Sequence, residues 1–371
     1  MSVATTDLER TLLELCEISS FTGEEGPLCD DVERRIVSIA GRDAVARDGH
    51  SLVVTPRPSV GGTARDATDS NAQNAAMPVV VLAGHLDVVR TEHDRGPRID
   101  GERLYGAGAA DMKSGLAVML QLLADLRTRA PRFAPTFVFY ECEEGPYDDN
   151  RLGELLDHFP VLRAASLAVC LEPSSNVLQL GCMGSLHARV TFHGRTSHSA
   201  RPWQGENAIH KSSALLARLG ALAPRDHLLD GLLYREVMSA TLANGGRGRN
   251  VIPDAFALNV NVRFAPGRTP DDAERDVRDI VRGEAEVEIV DRSPSAAPHR
   301  AHPLVQQLET LCQAAAEPKQ AWTDVARFAA LGVPAVNLGP GTQSQAHQRN
   351  EWTDRAALAD GLELFRRWLF G

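Results

Sequence analysis

The sequence predicts an α/β fold, a mostly parallel sheet flanked by helices, with a smaller α+β domain inserted into it. Three observations lead there. Between residues 79 and 171, short apolar runs alternate with a long helical pattern, as strands buried on both faces of a parallel sheet require. From about residue 181 the order becomes strand, helix, strand, strand, helix, strand, the split βαβ arrangement of ferredoxin-like domains. The 371 residues, 43% of them hydrophobic, exceed one typical domain and supply a sizeable core. The expected division is a larger domain of residues 1–180 and 294–371 and an inserted domain of residues 181–293.

Taken in order, Thr6-Asp7-Leu8-Glu9 reads as a capping box opening a helix through Leu12, Leu13 and Cys16. A second helix has Pro27 near its start and apolar residues at Leu28, Val32, Ile36 and Ile39. Residues 57–77, rich in Ser, Gly, Ala, Asn and Asp, read as a surface loop without chemistry. Residues 79–82 form a strand running into Gly84-His85-Leu86-Asp87, and 112–126 form a long helix. Strand 136–140 ends in Glu141-Cys142-Glu143-Glu144, and strand 166–171 in Glu172-Pro173. Sites in such sheets gather at the carboxyl ends of strands, and three strands here end in candidate ligands. In the inserted domain, strands are expected at 186–192, 237–242, 256–264 and 287–290, with helices at 207–222 and 271–281. Helices near 303–316 and 355–369 flank a strand at 335–338 and complete the larger domain.

Composition narrows the function. No apolar run reaches the roughly 20 residues that span a bilayer, and the N-terminus, MSVATTDLER, lacks the pattern of a signal peptide. The six cysteines are scattered and form no C-x-x-C pair, as expected of reduced, buried thiols. A cytoplasmic protein is the expectation. The net charge of −10 without a basic block argues against nucleic acid or an anionic membrane as partner. Local arginines can still bind an anionic small molecule, because charge is screened over about 8 Å.

His85 and Asp87 stand two apart at the end of an extended run, so both side chains can reach one site, with Asp87 orienting the His85 ring. A solvated pair is the plainer alternative. In the glycine-rich run 106–115, Asp111 occupies the place of the third glycine of G-x-G-x-x-G, where it would repel a phosphate. Asp111 is then either an ordinary acidic helix cap or a metal ligand on a tight glycine frame. Glu143 and Glu144 repel each other unless a cation or proton compensates; the alternative is a solvated acidic turn. Glu172 and His347 are each ambiguous alone. Together, two histidines and three carboxylates suffice for two divalent metals if one carboxylate bridges. The mixed nitrogen and oxygen donors suit zinc, with cobalt or manganese compatible. Three carboxylates set −3 against +4, so a bridging hydroxide brings the cluster near neutrality. A further, unliganded Glu supplies the base that two-metal hydrolases use.

These motifs, in order along nearly the whole chain, resemble the dinuclear zinc deacylase and exopeptidase family. The resemblance implies a zinc-peptidase-like catalytic domain that cleaves amides with two zinc ions per subunit. It implies His85 and Glu172 on one zinc, Glu144 and His347 on the other, and Asp111 bridging, with a cis peptide after it. Glu143 would be the general base, and Asp87 would orient His85. The inserted domain resembles the family's dimerisation domain, which implies a homodimer. His198, in Thr196-Ser197-His198-Ser199, would reach across that dimer to polarise the scissile carbonyl. Asn250-Val251-Ile252-Pro253 and Asn261-Val262-Arg263-Phe264 match substrate-contacting motifs, which nominates Asn250 and Arg263. The stretches 322–332, 199–203 and 207–211 resemble one branch of bacterial desuccinylases and add Thr323, Arg327 and Arg201. The implied substrate is an anionic acyl-amino acid. Met183 stands where the better-known branch has an arginine, leaving Arg201, Arg249, Arg263 or Arg327 to make that carboxylate contact.

Overall fold

The computed structural model describes residues 5–56 and 77–371; the expected loop at 57–77 lies, apart from Met77, outside the described residues. The first helix, Asp7–Glu17, begins as its sequence dictates. The Thr6 hydroxyl accepts from the Glu9 N–H (3.2 Å) while the Glu9 carboxylate accepts from the Thr6 N–H (2.7 Å). The second helix, Gly26–Ala40, carries Pro27 in its first turn and buries Leu28, Val32 and Ile36.

The chain divides into two compact units. The first comprises Met1–Leu180, His299–Glu317 and Arg327–Gly371. Its main sheet has eight strands, in the order Val45–Asp48, Ser51–Val54, Ala134–Tyr140, Val79–His85, Leu167–Cys170, Ala335–Asn337, Gln179–Leu180 and Glu317–Pro318. Its centre is parallel: Val79–His85 lies between Ala134–Tyr140 and Leu167–Cys170, and Leu167–Cys170 also pairs in parallel with Ala335–Asn337. Antiparallel pairs lie to either side. In register, His85 faces Tyr140 and Ala83 faces Cys170. Neighbouring strands lie about 4.8 Å apart, so three strand ends bearing candidate ligands emerge side by side. Helix Lys113–Asp125 is buried along nearly its whole length. It packs tightly: a Cβ on Gly115 would lie 2.7 Å from the Leu171 carbonyl oxygen.

The sequence reading does not include the short helices Leu152–His158 and Pro160–Arg163 or the two-residue strands Gln179–Leu180 and Glu317–Pro318, nor two larger features. A hairpin, Val45–Asp48 with Ser51–Val54, extends the main sheet. A separate three-stranded sheet joins Arg98–Asp100, Arg103–Tyr105 and Trp352–Asp354. These strands are short, too brief for a period to show.

The second unit comprises Gly181–Pro298 and Pro318–Ala326. Its antiparallel sheet runs Arg225–Leu229, Leu232–Gly245, Ala255–Phe264, Gly184–His193, Glu286–Ser293. Helices Ser213–Gly220 and Pro270–Val281 complete its core through Leu215, Leu219, Ala273 and Val277, against Leu186, Val190, Val260 and Phe264. Three expectations need correcting. The helix at 207–222 is two helices, Ala208–Lys211 and Ser213–Gly220, separated at Ser212. An additional edge strand, Arg225–Leu229, is joined to Leu232–Gly245 through Asp230-Gly231, both at positive φ (50° and 77°); Asp-Gly is the turn that the twist of a hairpin favours. Residues 294–298 and 318–326, assigned above to the larger domain, belong to this unit. The Trp322 indole donates to the Pro294 carbonyl (3.1 Å), the Met183 N–H to the Lys319 carbonyl (3.2 Å), and Cys182 pairs with Ala296. Among the described residues no helix is long and apolar enough to cross a membrane.

Candidate metal centre

His85 ends its strand fully enclosed, 1% exposed. Its Nδ1 lies 2.9 Å from the Asp87 main-chain carbonyl. A carbonyl can only accept, so Nδ1 carries a proton and Nε2 is the ring atom turned towards Asp111. Nε2 lies 3.2 Å from Asp111 Oδ1. The other Asp111 oxygen, Oδ2, lies 3.4 Å from His347 Nε2. Asp111 therefore presents one oxygen to each histidine, the disposition a bridging ligand needs. The Asp111–Met112 peptide is cis. His347 Nε2 also meets Glu144 Oε1 at 2.7 Å.

Two donor triads result, His85–Asp111–Glu172 and Asp111–Glu144–His347, each with its donor atoms within 4.8 Å of one another. Donors on a tetrahedral zinc with bonds of about 2.0–2.2 Å stand about 3.3–3.6 Å apart. The histidine–Asp111 separations fit that spacing, and two triads sharing one carboxylate can hold two divalent cations. Glu143 stands beside the cluster, its carboxylate grouped with His85 and Glu144.

The electrostatics point the same way. Burial opposes charge on His85, but Asp111 and Asp87 outweigh it and hold the imidazole well above its ordinary range. Hydrogen bonds to Asp111 and Glu144 push His347 up to about 10. Burial, reinforced by the charge of Asp111, raises Glu144. Asp111 is depressed: burial works against this, but the bonds to His347 and His85 prevail. Both imidazoles are drawn towards the cationic form, so the pocket is one that favours positive charge.

Asp87 reaches His85 chiefly through its main chain, its Oδ1 standing 3.5 Å from Nδ1. The carboxylate is engaged elsewhere. Oδ1 accepts the Glu143 N–H (3.0 Å), and Oδ2 accepts the Glu144 N–H (2.9 Å) and the Thr22 hydroxyl (3.0 Å). Burial tends to raise its pKa, but His85 and these two N–H groups hold it below the usual carboxylate range. Asp87 thus fastens the turn that presents Glu143 and Glu144.

Two further carboxylates escape the sequence reading. Glu25 is fully buried, and its Oε1 accepts the N–H of Gly23 (2.8 Å) and of Cys142 (3.2 Å). Glu351 accepts the N–H of Gly108, Ala110 and Asp111 at 3.0, 2.7 and 2.8 Å. Burial pushes Glu351 up to about 7 against these donors. The only sequence signal was an acidic residue four positions after His347; for Glu25 there was none.

The remaining candidates are divided between the units. His198, Arg201 and Asn250 share one corner of the second unit: His198 pairs with Val251, and the Asn250 carbonyl accepts the Ser199 N–H (2.9 Å). Arg201 and Asn250 are exposed. Arg263 is half-buried on strand Ala255–Phe264 in the same unit, where burial lowers its pKa. Thr323, also there, is buried. Arg327 belongs to the first unit. Its guanidinium lies 3.8 Å over the Tyr147 ring and donates to the Tyr147 carbonyl.

This fold and donor set are those of a metallohydrolase, and the chain belongs to peptidase family M20/M25/M40, whose profile matches residues 81–370. A Mycobacterium tuberculosis protein provisionally named a succinyl-diaminopimelate desuccinylase is 37% identical over 358 residues, 96% of each chain. The Corynebacterium glutamicum succinyl-diaminopimelate desuccinylase is 34% identical over 363 residues, 96% of this chain and 94% of that one. Among solved structures, a tripeptidase from Staphylococcus aureus superposes with a TM-score of 0.76 at 20% identity, covering 98% of this chain and 96% of the other. A metallo-carboxypeptidase of Sulfolobus solfataricus gives 0.71 at 14%, covering 98% of each. These two share the fold.

Proposed function

We propose that this chain is a zinc-dependent succinyl-diaminopimelate desuccinylase. It would hydrolyse N-succinyl-LL-2,6-diaminopimelate to succinate and LL-2,6-diaminopimelate, a step of lysine and diaminopimelate biosynthesis, as a cytoplasmic homodimer. The observation that carries the reading is the pair of donor triads sharing Asp111, with Glu143 beside them. The near-full-length likeness to two desuccinylases supports the substrate.

His85 and Glu172 would hold one cation and His347 and Glu144 the other, with Asp111 between them; cobalt or manganese could replace zinc. When bound, the pair would supply an activated water and a polarised carbonyl. Glu143 takes the proton from the attacking water and later delivers it to the leaving amine as the C–N bond breaks. His198 donates to the developing oxyanion, arriving from the neighbouring subunit. Arg263 is the best-supported carboxylate contact: its side chain donates to the Asn261 side-chain oxygen (3.3 Å), and among the described residues it makes no ion pair. Asn250, Arg201 and Thr323 would complete the substrate contacts; Arg327, already stacked on Tyr147, is the least free to do so.

A second reading, another deacylase or a dipeptidase of the family, is favoured by one observation. Met183 replaces the expected arginine and is fully buried. Assaying purified enzyme with succinyl-diaminopimelate, acetylornithine and dipeptides decides between them. Turnover of succinyl-diaminopimelate at least about tenfold above the others supports the proposal; preference for acetylornithine or a dipeptide overturns it.

A further inference from the structure

Glu351 carries none of the roles assigned above, yet its carboxylate accepts three backbone N–H groups next to the centre. It is 4% exposed. Its Oε1 accepts the N–H groups of Ala110 (2.7 Å) and Asp111 (2.8 Å), and its Oε2 that of Gly108 (3.0 Å). Its main-chain carbonyl accepts the Gly106 N–H (3.1 Å). Four N–H groups of the turn 106–111 thus converge on one residue.

The three-stranded sheet explains how they meet. Trp352 pairs with Tyr105, so Glu351, one residue before, stands opposite Gly106, one residue after. Buried backbone N–H groups need acceptors. The turn has φ of 79° at Gly108, and past the end of the strand pairing the N–H groups of Gly108, Ala110 and Asp111 find their acceptor in the Glu351 carboxylate. A carboxylate makes stronger bonds to N–H groups than a neutral acceptor.

The turn ends in Asp111, whose two oxygens must face His85 and His347 separately. His347 lies only four residues before Glu351. One residue therefore joins the segment carrying His347 to the turn carrying Asp111, although 236 positions separate those ligands in sequence.

We propose that Glu351 is the positioning residue of the metal centre, its carboxylate holding the 106–111 turn so that each Asp111 oxygen faces one histidine. Loss of groups that orient metal ligands typically costs 10–100-fold in metal affinity or activity. The inference rests on reading the donor cluster as a metal centre, and the experiment separates the two.

Full-length wild type, Glu351→Ala and Glu351→Gln are titrated with zinc against a chromophoric chelator. Hydrogen exchange is followed on the peptide covering 106–111, and cobalt-substituted protein is compared by visible absorption. Glu351→Ala should weaken zinc binding about 10–100-fold, speed exchange at Gly108, Ala110 and Asp111 about tenfold and alter the cobalt bands. Glu351→Gln keeps one oxygen acceptor and should fall between wild type and Ala. Asp125→Asn is the control for destabilisation alone. Asp125 pairs with Arg366 (2.7 Å) in the same unit, and its loss should lower thermal stability without changing zinc affinity. Wild-type zinc affinity and cobalt bands in Glu351→Ala, or in Glu351→Gln if the Ala variant does not fold, overturn the proposal. A wild-type protein that takes up no divalent metal overturns the metal-centre reading itself.

Discussion

Replacing Asp87 by Asn tests whether the turn bearing Glu143 and Glu144, rather than the His85 ring that Asp87 was expected to orient, depends on this carboxylate. Both oxygens are in use: Oδ1 on the Glu143 N–H, Oδ2 on the Glu144 N–H and the Thr22 hydroxyl. Asparagine has one oxygen. Whichever way its amide turns, its NH2 meets a backbone N–H, and one buried donor loses its acceptor. Thr22 can rotate to accept from that NH2; the peptide groups cannot. One hydrogen bond to a charged acceptor contributes about 1.5–3 kcal/mol. At about 2–4 °C per kcal/mol for a domain of 150–250 residues, the melting temperature should fall by roughly 3–12 °C. Displacement of Glu143 and Glu144 should lower kcat about 10–100-fold. Differential scanning fluorimetry of metal-free protein and steady-state hydrolysis of the acyl substrate measure the two effects. The dependence on pH has a definite sign. Asp87 is held below its unfolded pKa of about 3.9, so its contribution is present above about pH 4 and disappears as the pH falls through the folded value. The variant lacks that loss, and the gap between the two proteins should close in acid. Wild-type melting and wild-type kcat in Asp87→Asn would refute the reasoning.

Glu143→Gln should retain two metals, counted by elemental analysis, and lose turnover by at least about 10²-fold; survival of activity with metal bound removes Glu143 as the base. Mixing inactive Glu143→Ala with inactive His198→Ala should restore activity towards half of the sites once subunits exchange, since one site of a mixed dimer then has both groups. Demonstrated exchange without recovery shows that His198 does not act across subunits. Gly115→Ala would put a Cβ 2.7 Å from the Leu171 carbonyl. It should cost about 1–3 kcal/mol and, by shifting the strand end before Glu172, weaken one metal more than the other in a chelator titration. Dialysis against a chelator should abolish hydrolysis, and zinc or cobalt should restore it; undiminished activity of metal-free protein contradicts the two-metal reading.

The sequence by itself determined the elements with a strong local signal. Thr6 to Glu9 encode a cap whose partners are three residues apart. The apolar runs 79–82, 136–140 and 166–171, alternating with a long helical pattern, read as buried strands. His85, Glu144 and Glu172 stood out as candidate ligands because they follow strand ends; Asp111 and His347 joined them only through the donor count of the whole set and the resemblance. Their division between two cations was only implied by resemblance. The tertiary structure decided that each Asp111 oxygen faces a different histidine, since that depends on how the turn 106–111 is held. It also decided that Asp87 spends its carboxylate on Glu143 and Glu144, and that Glu25 and Glu351 fasten the turns bearing Glu144 and Asp111 across 117 and 240 or more residues. A buried carboxylate that accepts backbone N–H groups leaves no periodicity and no motif spacing in the chain. Its partners are peptide groups, which every residue but proline possesses, so only the folded backbone reveals where they converge.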